Sequence, residues 1–227
     1  MTFRLHHVQY GRSFRVLWLI EEIGLETVLG PLEVVEYRIG SAEMREGALP
    51  RVSPAVRIPA LEIGDLALSE SGAIVEYLCE TYAPELGRAV GDPERPQWLQ
   101  WVHYAETMAS LIENLNLQMV FLRPPAMPSP VVVKLTVARL KGTLAGMEAR
   151  MGDHDWLLPG GFSGADVMMG FNLFAVPYYV KLDPFPRLQA YKARMEARPA
   201  YRRCVDREGP QRFYDRDFYP VPEAGPA

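Results

Sequence analysis

The sequence has little cysteine and no excess of positive charge. Only Cys79 and Cys204 occur among 227 residues, and they form no Cys-x-x-Cys pair. This excludes a dithiol redox motif and argues against a disulfide scaffold. The formal net charge is −4, which gives no indication of a basic surface patch. We therefore expect neither nucleic acid nor an anionic membrane surface as a partner.

Long apolar runs are missing as well. No stretch approaches the roughly 18 consecutive apolar residues of a membrane-spanning helix, and the opening residues lack the charged-then-apolar form of a signal peptide. These features predict a cytoplasmic protein without a membrane partner.

Metal ligands are also scarce. His6 and His7 are neighbours in a predicted strand, so their side chains face opposite ways, while His103 and His154 have no partner at ligand spacing. We expect no metal site. No glycine-rich phosphate loop or nucleophile elbow is present either.

The first third of the chain alternates between strand and helix patterns. A short strand from Phe3 to Val8 is followed by a helix that is apolar on two sides and ends at Gly24. A second strand from Leu32 to Tyr37 completes the unit. The connection is long enough to make the two strands parallel.

A hairpin and a helix follow. The strand-like runs on either side of Gly64-Asp65 predict a tight antiparallel turn, and Glu70-Ser71 leads into the helix. This order is that of a thioredoxin-like domain. In it Pro59 is expected to be a cis proline that exposes the preceding backbone to a ligand, with a trans proline in an edge strand as the alternative.

The second half reads as helices without strands. One long apolar-periodic pattern starts at Trp98 and runs toward Phe121, and another passes through Leu135 to Met147 after a proline-rich loop. Ser163 and Asp166 form a predicted capping box at the start of a further, buried helix.

These motifs resemble the glutathione S-transferase family. The similarity is carried by Arg57-Ile58-Pro59, by Glu70-Ser71 and by the Ser163 capping box, and the stretch Trp101–Glu106 is closest to a fungal and bacterial serine-type subgroup. The resemblance implies an α/β thioredoxin-like N-terminal domain and an all-α C-terminal helical bundle. Its expected boundaries are residues 1–83, a linker at 84–96, helices at 97–210 and a tail rich in proline and aromatic residues at 211–227.

The resemblance also implies an activity. A transferase of this kind binds reduced glutathione as co-substrate, needs no other cofactor, and conjugates the thiolate to a hydrophobic electrophile, with peroxidase activity as a related reaction. A free thiol has a pKa of about 8.5, so activation requires a lower pKa in the bound state. The family further implies a homodimer and a role in detoxification.

The resemblance also implies which residues bind glutathione, because they occupy the matching positions of the family's motifs. They are Gly11, Arg12, Arg57, Ile58, Pro59, Glu70 and Ser71. Glu70 is expected to take the ammonium of the γ-glutamyl end, and Ser71 its carboxylate. Arg57 corresponds to the family's basic residue and is matched to the glycyl carboxylate; its alternative is an exposed surface arginine.

The catalytic candidates lie in the loop before the first helix. Ser13 sits where its hydroxyl would point at the sulfur from the helix N-terminus, and Tyr10 is the second candidate. Alternatively, Ser13 only caps the helix, and Tyr10 is only a wedge between the domains. Many serine-type relatives carry the hydroxyl at the position of Gly11, so the assignment stays open.

The acceptor pocket is expected between the domains. Its candidate residues are Met108, Leu111, Met119 and Phe121, joined by the tail aromatics Phe213, Tyr214, Phe218 and Tyr219. Each is equally typical of an apolar core.

Two other functions compete with the transferase. Gly11, in place of a hydroxyl, favours a non-catalytic glutathione- or ligand-binding scaffold with the same fold. A thiol-disulfide or dehydroascorbate reductase would need a cysteine between Tyr10 and Ser13, and none is there.

Overall fold

The computed structural model describes residues 2–223. Its N-terminal part contains a four-stranded sheet with the order β2-β1-β3-β4. The strands are β1 (Phe3–His7), β2 (Glu33–Glu36), β3 (Ala60–Ile63) and β4 (Leu66–Ser69). β1 pairs in parallel with β2 and antiparallel with β3, and β3 pairs antiparallel with β4. The predicted thioredoxin-like order is confirmed.

Five helices accompany the sheet. They are α1 (Ser13–Ile23), α2 (Glu26–Leu29), α3 (Ala42–Glu46), α4 (Leu49–Val52) and α5 (Ser71–Tyr82). Gly24 ends α1 in the left-handed conformation, with φ of 66°, as predicted. The short helices α2, α3 and α4 were not predicted, because about one turn is too short to show a helical period.

The link into β3 also agrees with the sequence. The Ile58–Pro59 peptide bond is cis, and Gly64 turns the β3–β4 hairpin with φ of 58°. Pro59 is buried beside the end of the strand.

The remainder of the chain is helical. Its helices are α6 (Arg95–Asn116), α7 (Pro130–Met151), α8 (Gly164–Ala175), α9 (Pro186–Ala197) and α10 (Pro199–Glu208). α6 runs on into a wider π-helical turn, 117–121, before the proline-rich loop. Within residues 2–223, no helix is long and apolar enough to cross a bilayer.

Helix α8 lies at the centre of this part. Nearly all of its residues are buried, and it packs against α6, α1 and α5. A helix that is apolar on every side belongs inside a protein rather than at its surface. Helix α8 therefore joins the helical part to the sheet-bearing part.

The start of α8 is fixed by the predicted capping box, which is present. The Asp166 carboxylate is fully buried and accepts hydrogen bonds from the backbone of Ser163 at 2.8 Å and of Leu157 at 3.0 Å. It also accepts one from the Tyr191 hydroxyl at 2.9 Å. One carboxylate thus ties α8, α9 and the preceding loop together.

The described part of the tail packs on the helices. Tyr214 and Tyr219 are buried, and the Tyr214 ring stacks on Tyr178 with centroids 3.8 Å apart. The Tyr219 N–H donates to the Tyr178 carbonyl at 2.8 Å. The sequence did not predict this packing, because the tail has no periodic pattern.

Replacing Asp166 with alanine should lower the free energy of unfolding by about 3 kcal/mol or more, because several buried donors lose their acceptor together. Urea unfolding measures this loss. Asp183→Ala, at an exposed position, is the matched control and should change stability by less than about 0.5 kcal/mol. Equal effects of the two substitutions would contradict the role given to Asp166.

Candidate functional site

A cavity of about 950 Å³ lies between the sheet-bearing part and the helices α6 and α8. Its N-terminal wall comes from residues 8–12, 39–40, 44–45 and 55–59 and from Glu70 and Ser71 at the start of α5. The opposite wall comes from α6, α8 and the tail. Its volume suits a small peptide and a second ligand beside it.

The loop between β1 and α1 forms one side of this cavity. Gly11 donates its N–H to the Val8 carbonyl at 2.8 Å, and a Cβ at Gly11 would lie 2.8 Å from that same oxygen. Only glycine fits there without a shift of the backbone. Among the described residues, the N–H groups of Arg12 and Ser13 have no hydrogen-bond partner. The start of α1 therefore offers donors for an anion.

Ser13 does not present its hydroxyl to the cavity. The residue is fully buried, its Oγ donates to the Val8 carbonyl at 3.2 Å, and it accepts from the Val8 N–H at 3.1 Å. The sequence predicted that this hydroxyl points at a sulfur, whereas in the structure it is turned toward the Val8 backbone. The hydroxyl instead fixes the end of β1 against the start of α1.

Tyr10 lines the cavity, but its phenol is already engaged. The hydroxyl donates to the Gly209 carbonyl at 2.6 Å, and the ring stacks on Phe174 with centroids 5.0 Å apart. Burial, with the nearby Glu208 and Tyr178, raises the pKa of Tyr10 above its ordinary value. This is the predicted wedge between the two parts of the chain.

Arg12 and Arg57 are held by two carboxylates from α6. Arg12 contacts Glu106 at 3.1 Å and Glu113 at 2.7 Å, and Arg57 contacts Glu113 at 3.1 Å. Neither glutamate was predicted from the sequence as a site residue. Their spacing of seven, which places them on one face of a helix, was the available signal.

Beneath these pairs lies Arg15, which is fully buried. Its guanidinium donates to Ser71 Oγ at 2.9 Å and to Asn172 Oδ1 at 2.8 Å, and it also contacts Glu106. Burial would raise the pKa of Glu106, but Arg15 and Arg12 outweigh that effect and lower it. A buried arginine of this kind requires such partners.

The binding motif predicted from sequence is brought together. Ile58, Pro59, Glu70 and Ser71 all line the cavity. Glu70 is exposed and adopts φ of 73° at the N-terminus of α5. Ser71 is nearly buried, with its Oγ held by Arg15.

The residues expected to form the acceptor pocket fall into two groups in the structure. Phe121, Phe213 and Tyr214 line the cavity, whereas Met108, Leu111 and Met119 do not. On α6 the cavity residues recur three or four positions apart, and at 100° per residue Met108 and Leu111 fall outside the face that they form. Both pack into the core instead, with Met108 fully buried.

The aromatic wall of the cavity includes residues that the sequence analysis did not select. These are Phe171 and Phe174 on α8. Asn116, at the end of α6, adds a polar group, and its Oδ1 accepts from the hydroxyls of Tyr179 at 2.6 Å and Tyr214 at 3.1 Å. This end of the cavity is therefore apolar, with one fixed amide.

His6 and His7 are both engaged by neighbouring side chains. His6 lies 2.8 Å from the Tyr37 hydroxyl and 2.9 Å from Glu62, and His7 lies 2.8 Å from Glu208. Over residues 2–223, no group of three or more His, Cys, Asp and Glu side chains is placed to hold a metal ion.

This fold and site define a thioredoxin-like domain joined to a helical bundle, with a ligand cavity at the junction. Residues 1–80 match the family model for the glutathione S-transferase N-terminal domain. Maize glutathione S-transferase 1 is 29% identical over 186 residues, which cover 80% of this chain and 87% of the relative. Wheat glutathione S-transferase 1 is 27% identical over 211 residues, covering 87% and 90%.

A solved structure agrees with these relatives. The theta class glutathione S-transferase of Xanthomonas axonopodis pv. citri, with glutathione bound, is 26% identical and superimposes with a TM-score of 0.77 over 90% of this chain and 97% of its own. Residues 1–80 therefore match the N-terminal domain of glutathione S-transferases, and most of the chain is similar to proteins of that name.

Glu106→Gln should destabilise the protein by about 1–3 kcal/mol at pH 7. Breaking a fully buried ion pair costs about 3–5 kcal/mol, but the Glu106 side chain is 41% exposed, which weakens the interaction. Because the pKa of Glu106 is lowered in the folded protein, its ionised carboxylate stabilises the fold at pH values above 4.5, the ordinary pKa of the group. That stability is lost as the pH falls through the lowered pKa.

The difference between wild type and Glu106→Gln should therefore shrink below about pH 4, as measured by urea unfolding across a pH series. Glu113→Gln is the matched control on the same face of α6. Its partners are more exposed, so a change below about 1 kcal/mol is expected. A difference that stays constant down to pH 3 would contradict the assignment to Glu106.

Proposed function

We propose that the protein is a glutathione transferase that binds reduced glutathione in this cavity and activates its thiol for attack on a hydrophobic electrophile. The observation that carries the proposal is the convergence of Ile58, Pro59, Glu70 and Ser71 with Arg12 on one cavity. The family relationship supports the same activity. Peroxide reduction by the same thiolate is a related reaction.

The γ-glutamyl end of glutathione binds at the start of α5 in this proposal. The Glu70 carboxylate takes the ammonium, and the Ser71 hydroxyl and the helix N-terminus take the carboxylate. Arg15, whose Nη1 lies 2.9 Å from Ser71 Oγ, adds positive charge behind the hydroxyl. These groups complement both charges of an α-amino acid.

The middle and the far end of the peptide extend along residues 57–59. The cysteinyl part pairs with the backbone of Ile58 in a strand-like contact. The glycyl carboxylate binds Arg57, whose side chain is 70% exposed and contacts Glu113 in the free protein. The carboxylate of the peptide competes with Glu113 for this arginine.

Thiol activation is assigned to Arg12 and the start of α1 rather than to a hydroxyl. The Ser13 and Tyr10 hydroxyls both donate to backbone carbonyls. A guanidinium beside the sulfur and unpaired N–H groups at a helix start both favour a thiolate, and an opposite charge at 4–6 Å lowers a pKa by about 1–3 units. Arg12 thus replaces the hydroxyl that Gly11 lacks.

The electrophile binds at the aromatic end of the cavity. Phe171, Phe174, Phe213 and Tyr214 form an apolar wall there, which suits a flat, hydrophobic substrate. A cytoplasmic location, a homodimer, a role in detoxification and catalysis without a further cofactor belong to the same proposal.

A non-catalytic glutathione-binding protein is the second candidate. The engagement of both loop hydroxyls with backbone carbonyls favours it. The two candidates share the binding site and differ in whether the bound thiol is ionised at neutral pH.

Titration calorimetry with reduced glutathione, run beside ultraviolet difference spectra for thiolate, tests the proposal. Wild type should bind and show thiolate at pH 7. Arg12→Gln should lose the thiolate signal, because the thiol pKa rises by about 1–2 units, while the affinity changes less than about threefold.

Arg57→Gln is the matched comparison and should show the reverse pattern. Its affinity should fall about tenfold, or about 1.4 kcal/mol, with the thiolate signal of the bound peptide retained. Binding without thiolate in wild type would favour the non-catalytic candidate. No binding at all would refute the site.

A further inference from the structure

The end of α10 is hydrogen-bonded to the β1–α1 loop, which forms one side of the cavity. Glu208, the last residue of α10, has a fully buried side chain. Its Oε2 accepts a hydrogen bond from the Tyr10 N–H at 2.6 Å, and its Oε1 lies 2.8 Å from His7 Nε2. A buried carboxylate is costly unless it is paired, so these contacts specify its position.

Two further hydrogen bonds join the same segments. The Gln9 side-chain amide donates to the Glu208 carbonyl, and the Tyr10 hydroxyl donates to the Gly209 carbonyl at 2.6 Å. Tyr10 is therefore held at its backbone and at the tip of its side chain by two consecutive residues about 200 positions away.

The backbone at Tyr10 needs such support. Its φ is 52°, in the left-handed region that a bulky residue rarely adopts and that persists only when surrounding contacts enforce it. Gly11 and Arg12 follow directly, so the conformation of Tyr10 sets where the start of α1 meets the cavity. The segment after Gly209 carries Phe213 and Tyr214 to the opposite wall.

We propose that Glu208 is a positioning residue that fixes the β1–α1 loop, so that Arg12 and the N–H groups at the start of α1 meet the sulfur of bound glutathione. The proposal rests on the proposed function for its role in activation. The local effect on the loop stands on the contacts alone. Through the same chain segment, Glu208 links the thiol side of the cavity to its aromatic wall.

The test compares Glu208→Met in the full chain with Asp206→Met, an exposed control on the same helix. Methionine has a similar volume and no acceptor for the Tyr10 N–H. In Glu208→Met without ligand, exchange of the hydrogen-bonded Tyr10 and Gly11 amides should accelerate at least about tenfold, while exchange in α6 and β3 stays unchanged. Asp206→Met should match wild type.

Glutathione binding provides a second readout that general destabilisation would not produce. In Glu208→Met the fraction of bound thiolate at pH 7 should fall at least about fivefold, with the dissociation constant changed less than about threefold. Glu208→Gln keeps one acceptor for the Tyr10 N–H and should restore part of both effects.

Unchanged loop exchange in a folded Glu208→Met protein would overturn the proposal. If that variant does not fold, exchange of the Tyr10 amide in wild type decides: protection comparable to the β1 amides supports the proposal, and free exchange overturns it. If wild type does not bind glutathione, both the proposed function and the role of Glu208 in activation fail. The exchange data then still decide whether Glu208 fixes the loop.

Discussion

The structure depends on one buried guanidinium. Arg15 sits in an otherwise apolar turn of α1 and has no exposed surface, so it is tolerable only where acceptors surround it. Those acceptors are Ser71 at the start of α5, Glu106 on α6 and Asn172 on α8. The charge therefore fixes four helices from both parts of the chain around one point, directly beneath the cavity.

The chemistry of the site follows from that point. Ser71 is oriented by Arg15 and stands next to Glu70, and these two residues are the ones proposed to bind the γ-glutamyl end. Glu106 neutralises the buried charge of Arg15 and also contacts Arg12 at 3.1 Å. The same carboxylate therefore orients Arg12, the residue proposed to activate the thiol. Packing and the proposed catalysis thus share the contacts of Arg15 and Glu106.

Local patterns predicted much of the fold. The parallel start, the cis proline, the hairpin and the capping box at Ser163 each depend on neighbouring residues, and each is confirmed. The site was less accessible to sequence reasoning. The position of Ser13 was visible, but the direction of its hydroxyl depends on the Val8 backbone. Glu208 meets the N-terminal loop only across a long stretch of chain, which no local pattern records.

The most direct test of the account is a crystal structure with reduced glutathione bound. We expect the γ-glutamyl end to lie at Glu70 and Ser71 and the sulfur to lie within about 4–6 Å of the Arg12 guanidinium, the range in which an opposite charge stabilises a thiolate. A sulfur hydrogen-bonded to the hydroxyl of Ser13 or Tyr10, or a peptide bound outside this cavity, would contradict it.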